Sequence, residues 1–385
     1  MPPDQHPLLR YIPPLDPLLY PDSALAHSWP LQRRGTPLGA ITELHRTSRQ
    51  PPEAARTAWQ SAQPVLLPGL ASERLGQYAL DIAAAHTLME QMLDGEHTID
   101  ELLEQPPYQT RLQPHFEMLA SSQDESDLQE IETLEFDAIA DGETTAENLW
   151  LKISWLSYDE DDPSLRFRFS FGLPGYEDVA SDLPRQRAAA ALTEAVFPES
   201  ALISRHSQLK QLLCALLDCR DIEYVERIIY FNAPNGGAQF HQDVERGHDG
   251  VVFLQASGRT FWFALAKSLL IDEITTFVRD PQQALALAAI LPDMAQRKRL
   301  QQTCHDRIQL SAWLDDHDDN EPLEMLLNRC PAFTRQLVEH GHGYVLHPGD
   351  MILLPQGDHE HCCWHTVFCL GDETGEGLSF AIRRV

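Results

Sequence analysis

Positive charge is scarce in this chain: 29 lysines and arginines face 58 aspartates and glutamates over 385 residues, a formal net charge of −29 at pH 7. So acidic a surface repels phosphate backbones and anionic headgroups, which argues against nucleic acid and membrane as partners and favours neutral or basic ones. Cysteine is sparse as well. Cys214, Cys219, Cys304, Cys330, Cys362, Cys363 and Cys369 are odd in number and irregularly spaced, so no disulfide framework is expected. No uninterrupted apolar run approaches the roughly 18 residues of a membrane span. The first residues, Met-Pro-Pro-Asp-Gln-His, have neither the basic nor the apolar stretch of a secretory leader. These absences lead to the expectation of a soluble, cytoplasmic protein.

The chain is long enough to bury a large core, and its pattern changes near residue 149. Residues 1–65 are rich in proline (Pro2, Pro3, Pro13, Pro14, Pro17, Pro21), which predicts an irregular wrap with short helices. Apolar residues at helical spacing (Leu75, Tyr78, Ala79, Ile82, Leu88, Met89, Met92) predict amphipathic helices over 71–92 and again over 99–120. The acidic stretch 123–147 reads as a connector. Thus 1–148 is expected to be a mostly helical or irregular N-terminal region.

From 149 the period is two. Segments 149–158 and 165–171, joined by Asp-Glu-Asp-Asp-Pro-Ser, read as a hairpin with Phe167, Phe169 and Phe171 on one face and Arg166, Arg168 and Ser170 on the other. Helices are predicted around 185–196 and 208–219, then strands at 222–232, 239–243, 251–256 and 259–265. A helix-like block over about 268–342 interrupts them, and strands resume at 344–346, 350–354, 361–370 and 378–383. The reading is an α+β chain whose residues 149–385 form one catalytic domain with a helical insertion. No internal repeat is present.

His241-Gln-Asp243 is where chemistry enters. Residues i and i+2 of an extended segment project to one face, so an imidazole and a carboxylate can grip one ion while a later strand brings a third ligand. His365 is placed to be that ligand, with His361, on the same face of the same segment, as its alternative. Two imidazoles and one carboxylate on a triangular face describe a non-haem Fe(II) site, which leaves about three octahedral positions for an oxo-acid cosubstrate and O2.

Read in order, Gly237-Ala-Gln-Phe-His241-Gln-Asp243, Phe253-Leu-Gln-Ala-Ser-Gly258-Arg-Thr-Phe-Trp262, Pro348-Gly-Asp350-Met-Ile-Leu-Leu-Pro355 and Trp364-His-Thr-Val367 resemble the cupin-fold Fe(II)/2-oxoglutarate-dependent oxygenases, and within them the JmjC-like branch. The resemblance spans about 222–385. It implies a double-stranded β-helix (jelly-roll) barrel, His241, Asp243 and His365 as iron ligands, Fe(II) as cofactor, and 2-oxoglutarate as cosubstrate. The implied reaction is hydroxylation, by O2, of a small molecule, an amino acid or a protein side chain. The branch commonly places a lysine after the glycine turn to bind the distal carboxylate of the keto acid. Thr260 stands at that position here, and a hydroxyl can hydrogen-bond a carboxylate without neutralising it. Arg383, sharing a strand face with Ser379, resembles the late-strand arginine that other members use, whose fork matches a carboxylate bidentately. Segment 244–250 is longer than the family pattern.

Plainer readings stand beside these. Arg383 also reads as an ordinary surface residue, Lys267 and Arg259 as solvated strand-end charges, and Tyr230 and Trp262 as core. Asn232, Gln239 and Gln255 read as water-facing strand polars or as contacts to cosubstrate. The cluster of His359, His361, Cys362, Cys363 and His365 lacks the spaced pairs of structural zinc, and adjacent Cys362 and Cys363 point to opposite strand faces. Asp243 disfavours halogenation, because the related halogenases lack that carboxylate. The alternative from another class is a non-oxidative metal-dependent cupin, an isomerase or a small-molecule binding protein. The N-terminal region and the insertion are expected to shape the pocket or a homodimer interface.

Overall fold

Alternation of side chains along a strand dictates which faces of this molecule are buried. A computed structural model describes residues 8–14, 28–123, 130–155, 166–172, 182–245, 247–316 and 320–385. Residues 1–7 and 15–27, with Pro2, Pro3, Pro17 and Pro21, lie outside the described residues, and the described part of 1–65 is not the irregular wrap expected. Strands β1 (Leu9–Ile12), β2 (Trp29–Arg33) and β3 (Thr36–Glu43) form a small antiparallel sheet in the order β1-β3-β2. Helix α1 (Pro52–Gln60) and strand β4 (Val65–Leu67) follow, then α2 (Ala79–Leu93), which covers the later part of the helix expected over 71–92 and ends one residue beyond it.

Two further expectations for this region are corrected. The helix expected over 99–120 is instead α3 (Ile99–Leu103), α4 (Tyr108–Leu112) and strand β5 (Phe116–Ser122). Pro106 and Pro107 interrupt any helix there, because proline lacks the amide donor and its ring clashes with the preceding turn. The acidic connector expected over 123–147 is largely two strands, β6 (Glu130–Ala140) and β7 (Glu143–Trp155), with 124–129 outside the described residues. Leu134, Phe136 and Ala138 turn inward while Glu135 and Asp137 turn outward, so acidic residues on one face masked a period-two signal on the other. The N-terminal region is therefore substantially β. The turn predicted at 159–164 also falls outside the described residues, as does the side chain of every phenylalanine of that hairpin face except the buried Phe169.

Strand β8 (Arg166–Gly172) leads through α5 (Leu183–Val196) and α6 (Ser207–Leu217) into β9 (Ile222–Asn232), β10 (Gly250–Gln255) and β11 (Arg259–Ala266). The helical insertion comes next: α7 (Lys267–Arg279), α8 (Ala284–Ile290), α9 (Met294–Thr303), α10 (Arg307–Leu314), α11 (Glu321–Arg329) and α12 (Pro331–Glu339). Strands β12 (Gly343–Leu346), β13 (Met351–Pro355), β14 (Cys363–Leu370) and β15 (Gly375–Arg384) complete the chain. They build a nine-stranded antiparallel sheet ordered β4-β13-β10-β15-β9-β8-β7-β6-β5 and a three-stranded sheet ordered β12-β11-β14. The two share no ladder among the described residues, so they do not close through hydrogen bonds.

Three apolar layers result. Between the facing sheets lie Val251, Phe253, Ile352 and Leu354 from the large sheet against Trp262, Ala264, Leu346 and Val367 from the small one. The alternate residues Val252, Leu254, Leu353, Leu378 and Phe380 pack outward against the N-terminal helices and α5. Phe261, Phe263, Leu265 and Trp364 pack outward against the insertion, where Leu270, Ile274, Phe277 and Leu337 cover them. Both faces of the central strands are thus buried, which is why they read as near-continuous apolar runs. Adjacent Cys362 and Cys363 fall into different layers, and all seven cysteines are free thiols. Among the described residues no helix is long and apolar enough to cross a membrane.

One buried polar group on the outer side of the large sheet has a measurable consequence. Glu376 of β15 and Glu199, in the turn after α5, are fully buried and lie together, with His86 Nε2 3.7 Å from Glu376 Oε2 and the Arg111–Asp81 ion pair (2.6 Å) close by. Burial pushes the Glu199 carboxyl up to about 7, and burial and then Glu199 push Glu376 well above its ordinary value. Groups with raised folded values bind protons on folding, so their contribution to stability falls as pH climbs from about 4.5 towards 7 and beyond. His86, held below its usual value by burial, works in the opposite sense, so the difference between variant and wild type is the informative quantity. Glu376→Gln is expected to raise the melting temperature at pH 8 and to flatten its decline between pH 5 and 8. Thermal melts in which variant and wild type share one pH slope would contradict the assignment.

Candidate metal centre

The His-Gln-Asp stretch belongs to a segment that follows β14 without being a regular strand. Residues 235–241 run antiparallel to β14 through Asn235 N to Cys369 O (3.0 Å), Cys369 N to Gly236 O (2.7 Å), Val367 N to Ala238 O (3.0 Å) and a reciprocal pair between His241 and His365 (3.0 and 2.9 Å). Gly237 makes this approach possible. Its φ is +138°, and a Cβ built there would stand 2.1 Å from Val367 O, closer than any side chain tolerates.

Two residues from far away hold the segment in place. Arg33 of β2, fully buried, donates from Nη1 to Gly237 O (3.0 Å) and from Nη2 to Val367 O (2.5 Å) and Thr366 Oγ1 (3.2 Å), with its guanidinium 4.0 Å above the Phe368 ring. A buried guanidinium is tolerated only with such partners, and here they are the Gly237 and Val367 carbonyls and the Thr366 hydroxyl, close in sequence to the candidate ligands. Asn328 of α11 accepts the Phe240 N–H at 2.9 Å, so the insertion positions the same stretch. Neither role has a local sequence signature: Arg33-Arg34-Gly35 reads as a charged surface turn.

His241, Asp243 and His365 come together, with their ligating atoms all within 4.8 Å of one another. His241 Nε2 lies 3.4 Å from Asp243 Oδ1 and His365 Nε2 lies 3.4 Å from Asp243 Oδ2. His241 Nδ1 faces the Gln239 carbonyl at 2.7 Å and His365 Nδ1 faces the Cys363 carbonyl at 3.4 Å. A carbonyl can only accept, so each Nδ1 carries the proton and each Nε2 presents its lone pair, the arrangement that metal-binding imidazoles adopt. Trp262 stacks on His365 with centroids 5.5 Å apart at 19°, and its indole N–H donates to Thr260 Oγ1 at 2.8 Å, which sets the plane of the ring. The donor set fits a divalent iron: two neutral nitrogens and one anionic oxygen on one side, with a cleft on the other.

That cleft is lined by the three candidate ligands together with Tyr230, Asn232, Val251, Phe253, Trp262, Leu354, Val367 and Ser379. The Asn232 amide is buried, with an oxygen that has no hydrogen-bond partner among the described residues. No family model and no curated protein matches this chain. Solved structures do. The chain is similar to an oxidoreductase of the 2OG-Fe(II) oxygenase family from Burkholderia pseudomallei, at 10% identity over 88% of this chain and 94% of that one, with a TM-score of 0.31. It is also similar to SnoN, a non-haem α-ketoglutarate-dependent epimerase of nogalamycin biosynthesis (9% identity, 86% and 83% covered, TM-score 0.35). A third is a Pseudomonas putida prolyl-4-hydroxylase (10%, 87% and 100%, 0.26). Similarity this low decides neither family nor activity, and the functional reading rests on the residues.

The other residues singled out from the sequence are distributed as follows. His361 is exposed and faces Asp358 at 3.3 Å, apart from His241 and Asp243, so the structure joins His365 and not His361 to the pair. Ser379 lines the cleft. Thr260 does not: it is fully buried, and its hydroxyl donates to Gln255 Oε1 (2.6 Å) while accepting from Trp262. Arg383 does not line the cleft: it lies two strand repeats beyond Ser379 on β15, where its charge acts on His248 together with those of Glu245, Asp243 and Asp249. Gln255 is buried and bonded to the Ser257 and Glu376 carbonyls. The reading of Lys267 as a solvated charge is corrected: its side chain is buried, with Nζ 2.6 Å from Asp315 Oδ2 and 3.8 Å from Glu360 Oε1, because the insertion folds over the end of β11. Arg259 remains at the surface, 3.3 Å from His347 Nδ1.

Proposed function

We propose that this chain is an Fe(II)- and 2-oxoglutarate-dependent oxygenase of the hydroxylase kind, built on a double-stranded β-helix. One observation carries the reading: two imidazole Nε2 atoms and the Asp243 carboxylate converge at the head of a cleft, with both Nδ1 atoms committed to backbone carbonyls. The course of the chain supports the barrel. After β9 it passes through 235–241 on the small sheet, β10 on the large, β11 and β12 on the small, then β13, β14 and β15 on alternate sheets. Iron held there would activate O2, with the keto acid giving up two electrons as it loses CO2; the protein supplies ligation, orientation and exclusion of water.

For the cosubstrate the cleft offers the Ser379 and Tyr230 hydroxyls and the Asn232 amide as neutral partners, with Thr260 ordering Trp262 beneath them. No lysine or arginine lines the cleft among the described residues, so under this reading Arg383, on the same strand as the cleft-lining Ser379, supplies the charge that a distal carboxylate requires. The apolar remainder, Val251, Phe253, Leu354 and Val367, suits a substrate presenting a C–H bond, and the acidic exterior suits a neutral or basic one. The same shortage of cations favours a second reading, a non-oxidative metal-dependent cupin that isomerises or binds an uncharged small molecule.

A spectroscopic titration separates the two without knowledge of the substrate. Anaerobic addition of 2-oxoglutarate to the Fe(II) protein is expected to produce the visible charge-transfer band of a chelated keto acid. Arg383→Ala is expected to raise the concentration needed for half-saturation by about tenfold or more, the worth of one charge-assisted contact. A protein that holds iron tightly yet shows no such band would exclude the oxygenase reading and leave the non-oxidative one.

A further inference from the structure

A second convergence of metal-binding atoms lies in the insertion, away from the first. Glu273 is on α7, His340 caps the C-terminal end of α12, and His342 directly precedes β12; their ligating atoms all lie within 4.8 Å of one another. The helix end creates this meeting. Gly341, at φ +82°, closes α12 with its own N–H on Val338 O (3.0 Å) and the His342 N–H on Leu337 O (3.0 Å). That closure needs a left-handed residue, which glycine adopts without a Cβ clash, and it folds His342 back beside His340. His340 Nδ1 then stands 2.8 Å from Glu273 Oε2, and His342 Nε2 stands 3.1 Å from Glu273 Oε1. Gln336 Nε2 donates to Glu273 Oε2 at 2.5 Å and to its backbone carbonyl at 3.0 Å, orienting the carboxylate from behind.

Two imidazoles can hydrogen-bond one carboxylate with no ion present, so geometry and donor type must decide. A four-coordinate ion with bonds of about 2.0–2.1 Å separates its ligand atoms by roughly 3.3 Å. Measured to one oxygen, Glu273 Oε1, the edges are 2.9 Å to His340 Nδ1 and 3.1 Å to His342 Nε2, and they need to open by only a few tenths of an ångström. His340 is 47% exposed while the other two are 14% exposed, which leaves an entry path and a fourth position for water. The scaffold is rigid: α7 and α12 pack through Phe277 and Phe333, edge to face at 5.4 Å, and through Leu270, Ile274 and Leu337. Two nitrogens and one oxygen suit a zinc-like ion better than calcium or magnesium, which prefer all-oxygen sites.

We infer that Glu273, His340 and His342 form a second divalent-metal site, of the zinc class, that staples α7 to the corner between α12 and β12. The corner adjoins the catalytic sheet directly. The His342 carbonyl accepts the Ala264 N–H at 3.2 Å, and Ala264 is paired across the ladder with His365.

Titration with Zn²⁺ alone tests this. The wild-type chain is expected to bind two equivalents, and a His241→Ala/Asp243→Ala chain one, with a raised melting temperature on binding. Adding His340→Ala to that chain is expected to weaken the remaining site by tenfold or more, and Glu273→Gln, which preserves hydrogen bonding but removes the ligand charge, to do the same. His340 is half-exposed at a helix end, so its removal does not threaten the fold; in the otherwise wild-type chain His340→Ala should reduce two equivalents to one. No Zn²⁺ bound by the His241→Ala/Asp243→Ala chain, or Zn²⁺ binding indifferent to both His340→Ala and Glu273→Gln, would show the cluster to be hydrogen bonding only.

Discussion

Asp243→Ala is expected to weaken Fe(II) binding by more than about 100-fold and to abolish oxidative turnover. The reasoning is electrostatic and geometric together. Asp243 is the one anionic member of the triad, and each of its oxygens faces a different imidazole nitrogen at 3.4 Å. Removing it leaves a dication on two neutral donors, one of them nearly buried, in a cleft whose remaining lining side chains are all neutral. Loss even of a group that only orients a ligand costs about 10–100-fold in metal affinity, and a charged direct ligand costs more. Anaerobic calorimetry with Fe(II) reads the affinity and O2 consumption reads the turnover. His361→Ala is the matched control. That residue is exposed and paired with Asp358, and its loss is expected to change neither quantity. Equal sensitivity at the two positions would dismantle the site.

Gly237→Ala is expected to destabilise the protein by about 2–4 kcal/mol and to reduce iron affinity as a secondary effect, although residue 237 touches no ligand. A non-glycine residue in such a φ region costs on the order of 1–3 kcal/mol by itself. The added Cβ, 2.1 Å from Val367 O, forces the 235–241 segment away from β14 as well. Displacement there breaks the Arg33 contacts to Gly237 O and Val367 O and the reciprocal His241–His365 pair together. Thermal melts and metal titration of the same preparation are the measurements. A variant with wild-type melting temperature and wild-type iron affinity would mean that the segment does not lie against β14.

Much of the C-terminal half was legible because strands write their period into the sequence. Strand β9 occupies the predicted 222–232, and β10, β11, β13 and β15 fall within a few residues of expectation. The ligand types and the i, i+2 spacing were equally visible. Where legibility failed, a local pattern was competing with a distant partner. The acidic residues of β6 face outward and hide the alternation of Leu134, Phe136 and Ala138; only pairing with β5 and β7 makes the strand. Segment 239–243 carries the spacing of a strand but forms a single bridge, because Gly237 bends the chain just upstream.

Thus the amino-acid order alone determined the α+β class, the helical block interrupting the strands, and the residue types able to hold a metal. These follow from backbone geometry and side-chain chemistry, which act over a few neighbouring positions. Tertiary structure alone decided that His365 and not His361 joins the pair, that Arg33 and Asn328 hold the ligand segment, that Lys267 is buried, and that the cleft lacks a lysine or arginine among its lining residues. Each is a matter of which surfaces meet after folding. A charge becomes buried, or a histidine becomes a ligand, only when partners tens to hundreds of residues away supply the hydrogen bonds that make its burial tolerable.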